Sequence, residues 1–162
     1  MENNMEEELK PTKENTLSLI IKQTYFDQIV AGTKTCEYRD IKDSTYRKYL
    51  ECDKEGNPYI TEGSMDIEDP LCGDIYAWNN GVYPYIPKDA HMYLHLAVGY
   101  HKERDTATVE ITDITFEPVL GDDDKPVRMK DDGDGFELCA DGDYCMWQIV
   151  YHLGNVIEVH RH

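Results

Sequence analysis

The sequence predicts a small α+β domain, mainly β: a mostly antiparallel barrel of about six or seven strands with two helices at its periphery. Three observations predict it. Apolar residues alternate at period two over 17–21, 91–101, 106–119 and 144–160, whereas helical spacing is confined to two short stretches. Strand and helix patterns never alternate in βαβ order, and 162 residues suffice for one ordinary domain with a real core.

The chain opens with MENNMEEELKPTKEN, charged and poor in apolar side chains, which reads as a disordered leader over residues 1–16. It lacks the basic start and apolar stretch of a signal peptide, and no apolar run approaches the ~18 residues of a membrane span, so the expected location is the cytoplasm, with no membrane partner. Residues 17–162 are expected to form a single domain, with an insertion-like segment at about 41–90.

Within that domain, Leu17, Leu19 and Ile21 mark a strand. Tyr25, Phe26, Ile29 and Val30 then mark a helix running from a Thr24 cap to a Gly32 stop, because glycine takes the left-handed conformation at low cost. Lys34 to Arg39 leave that stop in extended form. Residues 43–51 suit a short helix with Tyr46, Tyr49 and Leu50 on one side, and residues 53–73 a long loop with a short strand at Pro58–Thr61. Over 74–88 an Asn80-Gly81 turn predicts a hairpin carrying Trp78, Tyr83 and Tyr85. Those rings either close the core or form a wall for a planar base.

Residues 91–101 and 106–119, joined by the polar turn Lys102 to Asp105, should pair as an antiparallel hairpin with His95, Glu110 and Thr112 opposite its apolar face. The acidic block 120–143 reads as a solvated loop. No register within it meets the calcium-loop pattern, since a start at Asp132 puts Phe136, and one at Asp122 puts Pro126, where an oxygen ligand is needed. The closing stretch is a strand with Cys145, Trp147, Ile149 and Tyr151 on one face, a bend at Gly154-Asn155, and a last strand over Val156–His160.

Five cysteines without a CxxC spacing argue against a disulfide framework and a zinc site, so neither metal nor cofactor is expected. A formal charge of −17 should repel long duplex DNA, whose affinity rests on clustered lysine and arginine. Residues 22–48 depart from that balance, with six basic side chains against four acidic ones. Such a patch suits a small polar or anionic ligand, while the acidic remainder suits a basic protein partner.

Inside the patch, strand alternation sets Thr35, Glu37 and Arg39 on one side and Cys36 and Tyr38 on the other. The second pair, being more apolar, is expected to face the core. Glu37 and Arg39 then project into a cleft, with Lys34 at the turn able to reach either side. A carboxylate and two cations there can read a base edge, act as a base or nucleophile where burial depresses a lysine, or simply pair with each other.

Gly32-x-Lys34-x-x-Glu37-x-Arg39, following a strand and a helix that ends in FDQIVAGTK, resembles the GxKxxExR signature of the ASCH domain, a PUA-like β-barrel family. The likeness covers residues 17–40, with the closing strands fitting more loosely. It implies a PUA-like barrel whose cleft binds RNA or a modified nucleoside and is lined by Lys34, Glu37 and Arg39; Gly32 and Thr35 beside them, and Trp78 of the aromatic stretch, are the further ligand-binding candidates. Some small bacterial members are amidohydrolases that deacetylate acetylcytidine with a Lys, a Thr three residues on and a distant Glu. Lys34 matches the first, but Glu37 stands at the Thr position, so Lys34 and Glu37 become the catalytic candidates, with Glu110 the candidate for the distant acid. Three readings follow: an RNA- or nucleoside-binding module, a nucleoside amidohydrolase, and an acidic interaction module.

Overall fold

The computed structural model describes residues 10–42, 44–56, 87–88, 91–125, 127–131, 136–141 and 144–162, with the backbone alone at 131, 136, 144 and 145. The chain divides into two compact units. The first holds Met1–Thr35, Asp89–Thr112 and Leu153–His162, and the second Cys36–Lys88 and Asp113–His152. All of the hairpin expected over 74–88 but its last two residues, Trp78 included, and the strand at Pro58–Thr61 lie outside the described residues.

In the first unit, the Asn15 side chain accepts the Thr12 N–H at 2.7 Å and donates to the Lys10 carbonyl at 3.0 Å. These hydrogen bonds make a local turn of residues 10–15. Strand β1 (Thr16–Ile21) follows, with Leu17, Leu19 and Ile21 buried as the alternation predicts. Helix α1 (Gln23–Ala31) starts with Lys22 at its N-cap, not at the expected Thr24, and no side chain caps it. It buries Phe26 and Ile29 against strand β3 (Tyr93–Val98). Strand β3 pairs antiparallel with the start of β4 (Thr106–Pro118), Leu94 opposite Val109 and Leu96 opposite Ala107, so the expected hairpin is present.

Strand β1 runs parallel to β3, Leu19 opposite Leu96. This departs from the antiparallel expectation. Apolar alternation reports which face of a strand is buried and is silent about its neighbour, and the long connection between β1 and β3 leaves room for the crossover a parallel pair requires.

The second unit contains β2 (Cys36–Asp40), the short helix α2 (Tyr46–Tyr49), and the first part of β8 (Trp147–His160). Helix α2 is shorter than the expected 43–51, but it buries Tyr49, with Leu50 buried just beyond it. The block expected to be a plain acidic loop carries short strands instead, β5 (Arg128–Asp131) and β6 (Phe136–Leu138), which join β7 (Tyr144–Cys145) of the closing stretch in the order β6-β5-β7. Strand β8 runs unbroken through Gly154 and Asn155, where a bend and a separate last strand were expected.

The larger sheet has the order β1-β3-β4-β8-β2, with both β4 and β8 contributing to each unit. It is mixed and five-stranded, and no closed barrel is found among the described residues. The described residues therefore make a small, mostly β α+β fold, with two helices among them. No helix of the described residues is long and apolar enough to cross a membrane.

Candidate ligand cleft and the paired charges of the second unit

Helix α1 ends because Gly32 takes φ 82°, its N–H donating to the Ile29 carbonyl at 3.1 Å while Thr33 N–H reaches Gln28 O at 2.9 Å. A Cβ at Gly32 would meet nothing within 4 Å, so conformation alone demands glycine there. The reversal brings Thr35 alongside β8, where its carbonyl accepts the Leu153 N–H at 2.8 Å.

Between them these elements enclose a cleft of about 270 Å³, wholly within the first unit. Its walls are the end of α1 with Gly32, Lys34 and Thr35, the Val109 side chain, and residues 153–156 of β8. Lys34 is half-buried, with Nζ 5.2 Å from the centre of the Tyr25 ring. An exposed cation over a ring gains only about 0.5–1 kcal/mol. A ligand that draws the ammonium from its present contacts would have to offer a charge-assisted hydrogen bond, worth about 1.5–3 kcal/mol.

One wall depends on Gly154. A Cβ there would lie 2.7 Å from Thr112 Cγ2 and 3.3 Å from Glu110 Oε1, so β8 approaches β4 at a distance that only glycine permits. Glu110 Oε1 accepts the N–H of Asn155 at 3.1 Å and so braces the backbone of that wall. The sequence marked Gly154-Asn155 only as a bend. Its part in the cleft follows from β8 passing beside the exit of α1, which no local pattern records.

The other two charged residues of the motif belong to the second unit. Arg39 Nη1 and Glu37 Oε2 stand 2.6 Å apart, with the glutamate almost wholly buried. The expected facing is reversed here: Glu37 is 3% exposed and Tyr38 42%. The reason lies in the partner strand. Strand β2 pairs antiparallel with β8, Glu37 opposite Tyr151 and Arg39 opposite Ile149. Buried Trp147, Ile149 and Tyr151 thus share the Glu37 side, and their apolar area outweighs what Cys36 and Tyr38 offer on the other. A carboxylate drawn into such a face needs a cation, which Arg39 supplies.

Around this pair two tyrosines are tuned by burial. It pushes the Tyr49 hydroxyl up against the opposing pull of the Arg39 charge, and pushes Tyr151 up much further, with Tyr49 adding to it. Lys48 is drawn down, by burial first and by the Arg39 charge second. The buried Tyr151 hydroxyl and Trp147 Nε1 have no hydrogen-bond partner among the described residues.

Of the residues singled out from the sequence, then, the structure brings Gly32, Lys34 and Thr35 together in one cleft, and Glu37 and Arg39 together as an ion pair in the other unit. Trp78 lies outside the described residues. Among those described, no three His, Cys, Asp or Glu side chains are grouped to hold a metal. Comparison of the chain with protein-family models, curated proteins and solved structures gives no match.

Proposed function

We propose that the chain is an ASCH-type, PUA-like module that binds a nucleoside, or one nucleotide of a short single-stranded RNA, in the cleft at the end of α1. The observation that carries this reading is the convergence of Gly32, Lys34 and Thr35 on a cleft of about 270 Å³. Small-molecule pockets begin at about 300 Å³, so the space suits one base and its sugar rather than a helix. Ile29, Val109 and Val156 offer apolar walls to the faces of a ring. Lys34 brings an ammonium for a base carbonyl or a phosphate oxygen, Thr35 a hydroxyl that donates or accepts, and Asn155 an amide of the type that pairs with a base edge.

Calorimetric titration with cytidine, acetylcytidine and adenosine tests it. Lys34→Ala should weaken the best of these at least about tenfold, the cost of one lost charge-assisted hydrogen bond. Unchanged affinity in that variant would remove the cleft as the site.

A second reading turns on Glu110, which is not among the residues lining the cleft but whose carboxylate accepts the backbone N–H of Asn155, which is. In an amidohydrolase acting on an acylated nucleoside, Glu110 would take a proton from water as it attacks the acyl carbon. Lys34 would stabilise the oxyanion, and Glu110 would pass its proton to the departing nitrogen as the C–N bond breaks, releasing acetate and the free base amine. This assigns the acid to Glu110 in place of Glu37, which is engaged with Arg39. Turnover of acetylcytidine that survives Glu110→Gln would dismiss it.

A further inference from the structure

On the face of the second unit opposite Glu37, three side chains from three adjacent strands form a row. Cys36 on β2 stands directly across from His152 on β8, with Sγ 3.6 Å from Nδ1. On the far side of the ring, His152 Nε2 lies 2.8 Å from Thr115 Oγ1 on β4. A neutral imidazole holds one ring proton. If Nε2 carries it and donates to the Thr115 oxygen, Nδ1 presents its lone pair to the Cys36 thiol. In that tautomer the histidine is a proton acceptor for sulfur, and the Thr115 hydroxyl, which can accept from Nε2–H, is placed to hold it. Cys36 and His152 are both half-buried, and the next row on this face carries exposed Tyr38 and Glu117.

An S–H donor, a base and a third group that orients the base make an activated nucleophile. We propose that Cys36 is a nucleophilic thiol, with His152 as its proton acceptor and Thr115 as the positioning residue, and that it undergoes exchange with small disulfides. The step is balanced. His152 takes the S–H proton, the Cys36 sulfur attacks one sulfur of the disulfide, and the S–S bond breaks. The departing thiolate takes the proton back from the imidazolium, leaving a mixed disulfide on Cys36 and one free thiol.

The other cysteines with described side chains lack this arrangement. Cys139 donates its S–H to Asp141 Oδ1 at 2.9 Å, where a thiolate would face a like charge, and Cys52 donates to the Leu50 carbonyl at 3.4 Å. All three are half-buried, so the partner rather than the exposure separates them.

The test treats the reduced full-length chain with cystamine, a dicationic disulfide suited to a chain of charge −17, quenches in acid, and maps the mixed disulfides by peptide mass spectrometry. Cys36 should be modified at least about tenfold faster than Cys52 or Cys139, because it alone of the three has an imidazole nitrogen in contact to take its proton as the sulfur attacks. His152→Gln should bring Cys36 down to the Cys52 rate. Thr115→Val should slow it, and Thr115→Ser, which keeps the hydroxyl, should restore it. Modification of Cys36 no faster than Cys52 overturns the proposal, as does a His152→Gln variant with native circular dichroism and an unchanged Cys36 rate. Should His152→Gln fail to fold, the wild-type ranking and the Thr115→Val and Thr115→Ser pair decide.

Discussion

A hydroxyl at the tip of a fully buried ring is a poor investment of polarity unless something meets it, and Tyr151 is such a ring. An unsatisfied buried polar group costs about 1–3 kcal/mol, so Tyr151→Phe should be neutral or stabilise the fold by about 1 kcal/mol, read from the urea midpoint at pH 7. The pH dependence follows from the direction of the shift. Folded Tyr151 and Tyr49 keep their protons beyond the range near pH 10 where an unfolded tyrosine releases its own. Above that range the unfolded state has shed protons that the folded state still holds, so stability is complete below about pH 10 and falls as pH rises. Tyr151→Phe has no such proton, and its midpoint should decline less steeply between pH 9 and 11. An equal decline in both proteins would mean that Tyr151 does not carry the alkaline sensitivity. Nothing in the strand pattern could have disclosed this role, because Tyr151 reads simply as one more ring on the buried face of β8.

At the scale of the element, the clearest lines of the sequence are those where period and burial coincide. The Leu17, Leu19, Ile21 face of β1, the hairpin of β3 and β4, and the Gly32 stop of α1 all follow from local chemistry and are all present. What stayed illegible was set by neighbours. Judged alone, Cys36 and Tyr38 are the apolar side of β2, and only the register against β8 shows that Trp147, Ile149 and Tyr151 claim the other side. The row of Cys36, His152 and Thr115 joins residues as much as 116 positions apart, and the short strands of the acidic block are too brief to leave a periodic trace. Gly154 shows the limit well. It reads as a bend, yet the strand continues, because the glycine serves close approach rather than a turn. Gly154→Ala should therefore push Glu110 and Thr112 aside at a cost of about 1–3 kcal/mol. Gly32→Ala, crowded by nothing but held at positive φ, should cost about 1 kcal/mol by strain alone. Thermal melts of the two variants check the order, and a larger loss at Gly32 would contradict it.

For the whole molecule the decisive quantity is the charge of −17, which sets the sign of every long-range encounter. A protein that binds nucleic acid through a basic surface loses affinity as salt rises, since counterions released on binding drive the association. On the proposed reading, Lys34 is the cation among the lining residues of the first-unit cleft in a chain of charge −17, so each further phosphate of a longer RNA meets net repulsion. Two consequences separate this arrangement from an ordinary RNA-binding surface. The affinity of a neutral nucleoside should hardly change between 50 and 300 mM salt, because no net charge is brought to the protein. An oligonucleotide of about ten residues should bind no better than the nucleoside at low salt and should gain affinity as salt is raised, the opposite of the usual slope, because screening within about 10 Å weakens the repulsion. Fluorescence anisotropy with labelled oligonucleotides across that range gives the slope directly. A steep loss of affinity with salt would mean that RNA is held by a run of lysines and arginines elsewhere on the chain and not by a one-base cleft.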